Sequence, residues 1–331
     1  MKRLAVIGGG AWGTALAIVL APRFERVQLW VFESDVAQRM QAERQNDVYL
    51  PGYQVADNVL ITSDLGTALE SADVVVSVMP SHHVRRMYTE MLPFLTSSMT
   101  FVSATKGLEV GTILRMSEVI SSTGSAFPLQ VAALSGPTFA KEVARGDPTA
   151  LVVASPDEEL NRCVQEAFSG PTFRVYTSPD PISVEIGGSI KNVIAIGAGV
   201  IHGMALGHNA TAALITRGLA EMTRLAVAMG GRAQTLAGLA GLGDLVLTCT
   251  GDLSRNRMVG VELARGRKLD EIVGSMNMVA EGVKTTQAAV ELARRFGVEM
   301  PITEQMYQML YHALSPREAI RRLMERSLKG E

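Results

Sequence analysis

A lysine and an asparagine interrupt the glycine-rich apolar run VEIGGSIKNVIAIGAGVIHG at residues 184–203. A buried lysine, its pKa lowered from a reference of about 10.4, can exchange a proton with a reacting oxygen. It can equally thread its ammonium out of an apolar helix face to water. Residue type and spacing leave Lys191 open between the two. The glycines around it would admit another backbone or a flat ligand. A second cluster lies in LAGLGDLVLTCTGDLSRNRMVG, residues 239–260. Asp244 stands in an otherwise apolar, glycine-rich loop, where an unpaired carboxylate is costly, so a lysine or a ligand hydroxyl is its expected partner. Ser254 has the chemistry of an N-cap for the helix that follows. Arg255, Asn256 and Arg257 then fall in its first turn, where cations oppose the helix dipole. That placement makes sense if a phosphate binds there; a solvated charged turn is the alternative.

The stretch GGGAWG supplies Gly8, Gly10 and Gly13 in a G-x-G-x-x-G arrangement, after one apolar strand and opening a helix. The first glycine permits the tight turn, the second lets a pyrophosphate reach the backbone, and the third allows close helix–strand packing. Glu33, 20 positions beyond Gly13, ends the next strand, where a carboxylate can accept from ribose hydroxyls and repel a 2′-phosphate. Phe32 offers a ring to adenine and no grip on a phosphate. The pair leans to NADH over NADPH, with a solvated glutamate as the plain alternative. Lys106 follows the strand at 99–104, and Thr138 lies in LSGPTFAKEV (134–143) beyond another strand. Both sit at the carboxyl edge, where open α/β sheets bind ligands.

These groups need a scaffold of two kinds. Apolar runs at 3–8, 27–32, 59–62, 73–79, 99–104 and 131–136 predict strands, extended by 149–155 and 173–177. Helical patterns at 13–21, 34–45, 81–92 and 157–168 alternate with them, and the near-continuous apolar content suits a parallel sheet covered on both faces. A Rossmann-type doubly wound domain is therefore expected over 1–180. From 181 to 331 strand signals nearly vanish and an all-helical domain is expected. Arg217, Glu221 and Arg224 have pairing spacings on a helix and read as a structural ion network.

The 331 residues carry 31 basic and 33 acidic side chains, a net charge of −2 that gives no reason to expect nucleic acid or an anionic membrane as partner. Cys163 and Cys249 make no disulfide framework, and the isolated histidines match no metal motif, so no metal is expected. The opening MKRLAVIGGG lacks the pattern of a signal peptide. The longest apolar stretch, 186–206, carries Lys191, Asn192 and His202, which argues against a membrane span. A soluble cytoplasmic protein is the expectation.

GGGAWGTALA, SATKGLE, LSGPTFAKEVARGDPTA, EIGGSIKNVIAIGAGV, TRGLAEM, LAGLGDLVLTC, SRNRMVG and VAEGVKT, in this order along the chain, resemble the bacterial NAD(P)-dependent glycerol-3-phosphate dehydrogenases. The resemblance implies a 6-phosphogluconate dehydrogenase-like arrangement of sheet domain and helical domain. It implies NAD(P)H-dependent interconversion of dihydroxyacetone phosphate and sn-glycerol 3-phosphate for phospholipid synthesis. Lys191 would be the acid/base residue, steered by Asp244. Lys106, Gly136, Lys191, Asn192, Asp244, Thr248, Ser254, Arg255 and Asn256 would hold the phosphorylated three-carbon substrate. Gly8, Gly10, Ala11, Trp12, Gly13, Phe32, Glu33, Lys106, Gly136, Thr138, Ala140, Arg255, Val279 and Glu281 would contact the cofactor. The family usually has serine or asparagine at Ala11 and arginine or histidine at Phe32, so strong NADP preference is not expected. A homodimer is plausible from the apolar second domain. A β-hydroxyacid dehydrogenase has the same plan, but SRNR at a helix start favours a phosphate over a bare carboxylate.

Overall fold

The computed structural model describes residues 1–124, 129–276, 278–328 and 330. The chain forms two compact units, Met1–Lys106 with Leu114–Glu185, and Gly107–Ile113 with Ile186–Glu331. The division falls inside the helix Pro181–Gly203 rather than at residue 180. Segment 107–113 belongs with the second unit because Ser189 Oγ ties it there. This hydroxyl accepts from the Gly107 N–H at 3.0 Å and donates to the Gly107 carbonyl at 3.1 Å.

The first unit contains the strands β1 (Arg3–Ile7), β2 (Arg26–Trp30), β3 (Gln45–Asn46), β4 (Leu50–Gln54) and β5 (Val59–Thr62). It continues with β6 (Val74–Ser77), β7 (Thr100–Ser103), β8 (Val131–Ser135), β9 (Thr149–Ala154) and β10 (Phe173–Ser178). Eight of these, all expected from the sequence, pair in the order β10-β9-β8-β7-β6-β1-β2-β5. Successive side chains point to opposite faces of a strand. Leu4 and Val6 of β1 thus join one apolar core and Ala5 and Ile7 the other, all four fully buried. Two covered faces explain why these strands read as continuous apolar runs.

The expected parallel order breaks at one place: β9 runs antiparallel to β8, and β10 pairs parallel to β9. Leaving β8, the chain turns at Gly136 and forms the short helix Ala140–Arg145, which packs against the helix Ala11–Leu20. It re-enters the sheet from the edge where β8 ended. A second element absent from the sequence reading is the hairpin of β3 and β4.

The helices of the second unit include His208–Ala228, Asp244–Thr250, Arg255–Ala264, Glu281–Arg295 and Pro301–Tyr311. Pro181–Gly203 is long and apolar enough to cross a membrane, yet its apolar window is wholly buried within the protein. Its glycines serve packing. A Cβ at Gly199 would stand 1.9 Å from the Arg257 carbonyl oxygen, and one at Gly260 equally close to that of Ile196. The two backbones touch here, so backbone rather than a flat ligand fills this space. Glu221, which feels the charge of Arg224, spends its carboxylate on backbone groups. It is 1% exposed, and its carboxylate accepts from the N–H groups of Ile302 and Thr303 at 2.6 and 3.1 Å. It thereby satisfies first-turn donors of Pro301–Tyr311, while Arg224 donates to the Glu299 carbonyl.

Candidate active site

The expected site residues gather into two groups, one in each unit. In the first unit the chain order reverses at β1, which lies between β6 and β2. Ligands bind at such switch points, beyond the carboxyl ends of the strands. Gly8 leaves β1 there with φ of +125°, and a Cβ on it would lie 2.1 Å from the Val78 carbonyl oxygen. A Cβ on Gly13 would meet the Gly8 carbonyl oxygen at 1.8 Å, whereas one on Gly10 would meet nothing within 4 Å. The turn is therefore closed by its first and third glycines and open above its second. Gly10 is the N-cap of Ala11–Leu20 without a side-chain cap, so the first-turn N–H groups, including those of Ala11 and Trp12, are left for an anion. The buried Trp12 indole N–H has no partner among the described residues. These features fit a dinucleotide pyrophosphate.

Phe32 is 63% exposed and packs edge-on against Trp30 at 6.0 Å. Glu33 is the N-cap of Ser34–Glu43, but its carboxylate does not cap the helix and instead accepts from the Tyr49 hydroxyl at 2.8 Å. At the carboxyl edge, Lys106 Nζ donates to the Gly136 carbonyl at 3.0 Å and approaches Thr138 Oγ1 at 3.4 Å. Ala140 opens the short helix just beyond. The sequence thus identified a real cluster in Lys106, Gly136 and Thr138. It missed Asn46, which is fully buried and donates to Gly9 O and Thr14 Oγ1, both at 2.8 Å.

In the second unit Lys191 is 6% exposed, and its ammonium donates to Asp244 Oδ1 at 2.5 Å and to Thr248 Oγ1 at 2.8 Å. Snorkelling is thereby ruled out. Asp244 is fully buried and begins the helix Asp244–Thr250, after a wide turn at Leu239–Gly243. It is a helix residue and not the loop residue expected. Thr248 lies one turn on and also donates to the Asp244 carbonyl at 2.6 Å. Nearby Cys249 is inert: burial pushes its thiol up to about 12, against the pull of the Lys191 charge.

Ser254 caps Arg255–Ala264 as expected, its hydroxyl accepting from the Arg257 N–H at 3.2 Å. Asn256 donates to Asn192 Oδ1 at 2.9 Å and accepts from the Gly282 N–H at 2.9 Å. Part of the Asn256 side chain is thus structural, aligning the helices that carry Lys191 and Arg255. Arg255 donates to the Val279 carbonyl at 2.8 Å, and Glu281 begins the helix Glu281–Arg295. Desolvation holds the Arg255 guanidinium below its ordinary pKa, opposed by the Glu281 charge. A guanidinium short of water at a helix start is suited to an anionic ligand.

The comparisons with known proteins agree over both units. Residues 3–161 match the model of the NAD-dependent glycerol-3-phosphate dehydrogenase N-terminus, and residues 180–321 match that of its C-terminus. The chain is similar to glycerol-3-phosphate dehydrogenase [NAD(P)+] of Koribacter versatilis, with 59% identity covering 98% of each chain. It is 54% identical to the enzyme of the same name from Citrifermentans bemidjiense, over 100% of this chain and 99% of that one. Among solved structures, glycerol-3-phosphate dehydrogenase from Coxiella burnetii is similar at 41% identity and a TM-score of 0.93, covering 98% and 99%. With both halves matched in order, the chain belongs to the NAD-dependent glycerol-3-phosphate dehydrogenase family.

Proposed function

We propose that this protein catalyses the reversible NAD(P)H-dependent reduction of dihydroxyacetone phosphate to sn-glycerol 3-phosphate. The observation that carries the catalytic roles is the buried Lys191–Asp244–Thr248 contact. A charge so far from water is retained only at a cost, and proton transfer gives it a use. The glycine turn and the carboxyl edge at Lys106 would hold NAD(P)H, which when bound would supply the hydride for reduction at C2. As the C2–O double bond opens, Lys191 stabilises the growing negative charge and gives its proton to that oxygen. In the reverse direction the neutral amine takes the hydroxyl proton. Asp244 and Thr248 hold Nζ in place and supply the opposite charge that a buried ammonium needs. Ser254, Arg255, Asn256 and the helix start hold the substrate phosphate, and Asn192, Lys106 and Gly136 complete the substrate contacts. Binding energy from this remote group is then available to orient C2.

NADH is the proposed preference. Phe32 offers a ring in place of a phosphate grip, and Glu33 puts a negative charge where a 2′-phosphate would lie. The guanidinium of Arg86 is engaged with the Phe32 ring, 5.9 Å from its centroid, and with Glu90 at 3.5 Å. The same reading makes the enzyme a cytoplasmic homodimer whose product serves phospholipid synthesis. Its two free cysteines fit a reducing compartment, and exposed Leu242, Val246, Leu253 and Met258 supply apolar surface for a second copy. The test is NADH absorbance with purified protein. Consumption that depends on dihydroxyacetone phosphate is expected; no consumption with it, or turnover only of a 3-oxoacid without phosphate, would refute the assignment.

A further inference from the structure

Glu33 reads the ribose only if its carboxylate is held where the ribose arrives. A glutamate at a helix start has free rotamers, and an unpinned one could swing aside from a 2′-phosphate at little cost. Here it is not unpinned. The hairpin of β3 and β4 brings the Tyr49 hydroxyl to 2.8 Å from Glu33 Oε1. One accepted bond still leaves lone pairs on both carboxylate oxygens for the two ribose hydroxyls.

The hairpin is itself anchored to the nucleotide turn. Asn46, with no exposed surface, donates to the Gly9 carbonyl within GGGAWG and to Thr14 Oγ1 one turn into the helix. Its own Oδ1 accepts from the Tyr49 N–H at 2.9 Å. A continuous set of hydrogen bonds therefore runs from the pyrophosphate turn through Asn46 and Tyr49 to Glu33. Four hydrogen bonds fix Tyr49 and Asn46 between the two parts of the proposed cofactor site. Burial, reinforced by the Glu33 hydrogen bond and charge, raises the Tyr49 phenol to about 12, so it is a donor throughout the working range.

We propose that Tyr49 is a positioning residue for cofactor choice, holding the Glu33 carboxylate so that it accepts the ribose 2′-hydroxyl of NADH and excludes the 2′-phosphate of NADPH. This rests on the assignment of Glu33 as the ribose reader. Tyr49→Phe keeps the ring and removes only the hydroxyl. Glu33, released, binds the ribose less well and yields to a phosphate more readily.

The test is calorimetric titration of NADH and NADPH into the full-length wild type, Tyr49→Phe, Glu33→Gln and the double variant, with melting temperatures to establish folding. Wild type binds NADH more tightly. Tyr49→Phe lowers the NADPH/NADH ratio of Kd values by about five- to tenfold, the scale of one ordinary hydrogen bond. Glu33→Gln lowers it at least as far, and adding Tyr49→Phe to Glu33→Gln lowers it no further. If Tyr49→Phe weakens both cofactors equally while Glu33→Gln still lowers the ratio, Tyr49 is merely structural and the proposal falls, with the Glu33 assignment intact. If Glu33→Gln leaves the ratio unchanged, the Glu33 assignment falls and takes the proposal with it.

Discussion

At the scale of single residues, Lys191 shows how cost identifies function. Its ammonium is 6% exposed and the partner carboxylate of Asp244 is fully buried. Both have given up hydration that their mutual attraction restores only in part. Replacing such a pair with apolar side chains often leaves a fold as stable or more so, so stability is a weak reason for keeping it. Chemistry is a better one. Lys191→Ala is expected to lower kcat by about 10²–10⁴-fold, the usual contribution of a positioned proton donor. NADH binding, whose expected contacts do not include Lys191, should persist when measured by titration. Near-normal turnover would remove Lys191 from the mechanism. In the sequence, Lys191 and Asp244 were visible because charged groups stood among apolar ones. Thr248 sits four residues beyond Asp244, a spacing that brings it onto the same helix face only because the segment is helical.

The secondary-structure elements explain the glycines. Pro181–Gly203 and Arg255–Ala264 approach until Gly199 and Gly260 admit no side chain, which sets the helix carrying Lys191 against the one that starts with Arg255. The Asn192–Asn256 hydrogen bond lies across the same contact. Gly260→Ala would force a methyl to within 1.9 Å of the Ile196 carbonyl oxygen unless the helices part. The expected cost is about 1–3 kcal/mol or more, as for other overpacked sites. Urea unfolding followed by far-ultraviolet circular dichroism would measure it. A stability equal to wild type would mean that the helices are free to separate. Because separation also moves Arg255 relative to Lys191, KM for dihydroxyacetone phosphate should rise in the same variant. The β3–β4 hairpin lies at the other extreme of legibility. Strands of two and five residues without apolar alternation give no periodic signal, and the hairpin is recognisable only by what Asn46 and Tyr49 bond to.

For the whole molecule, the helix Pro181–Gly203 spans the division between the two compact units, and Lys191 lies on its second-unit part. The net charge of −2 offers little long-range repulsion between copies. The proposed homodimer would bury exposed Leu242, Val246, Leu253 and Met258, and sedimentation equilibrium is expected to give a mass twice that of the 35.5 kDa chain. Leu253→Glu with Met258→Glu should shift that equilibrium toward the monomer if this surface is the interface. A wild-type protein that sediments as a monomer at micromolar concentration would rule the dimer out.

The sequence by itself determined the eight strands of the sheet, the glycine turn after β1, and the capped helix start at Ser254. Each depends on local chemistry: side-chain alternation across a pleat, backbone freedom at glycine, and a hydroxyl satisfying orphan N–H groups. Tertiary structure alone decided that β9 enters antiparallel, that Gly199 receives the backbone of Arg255–Ala264, and that Glu221 caps a helix 81 residues away. It alone decided that Lys191 meets Asp244 across 53 positions and that Tyr49 meets Glu33. These pairings depend on where distant segments pack, and no periodicity or turn signal in either segment records its partner.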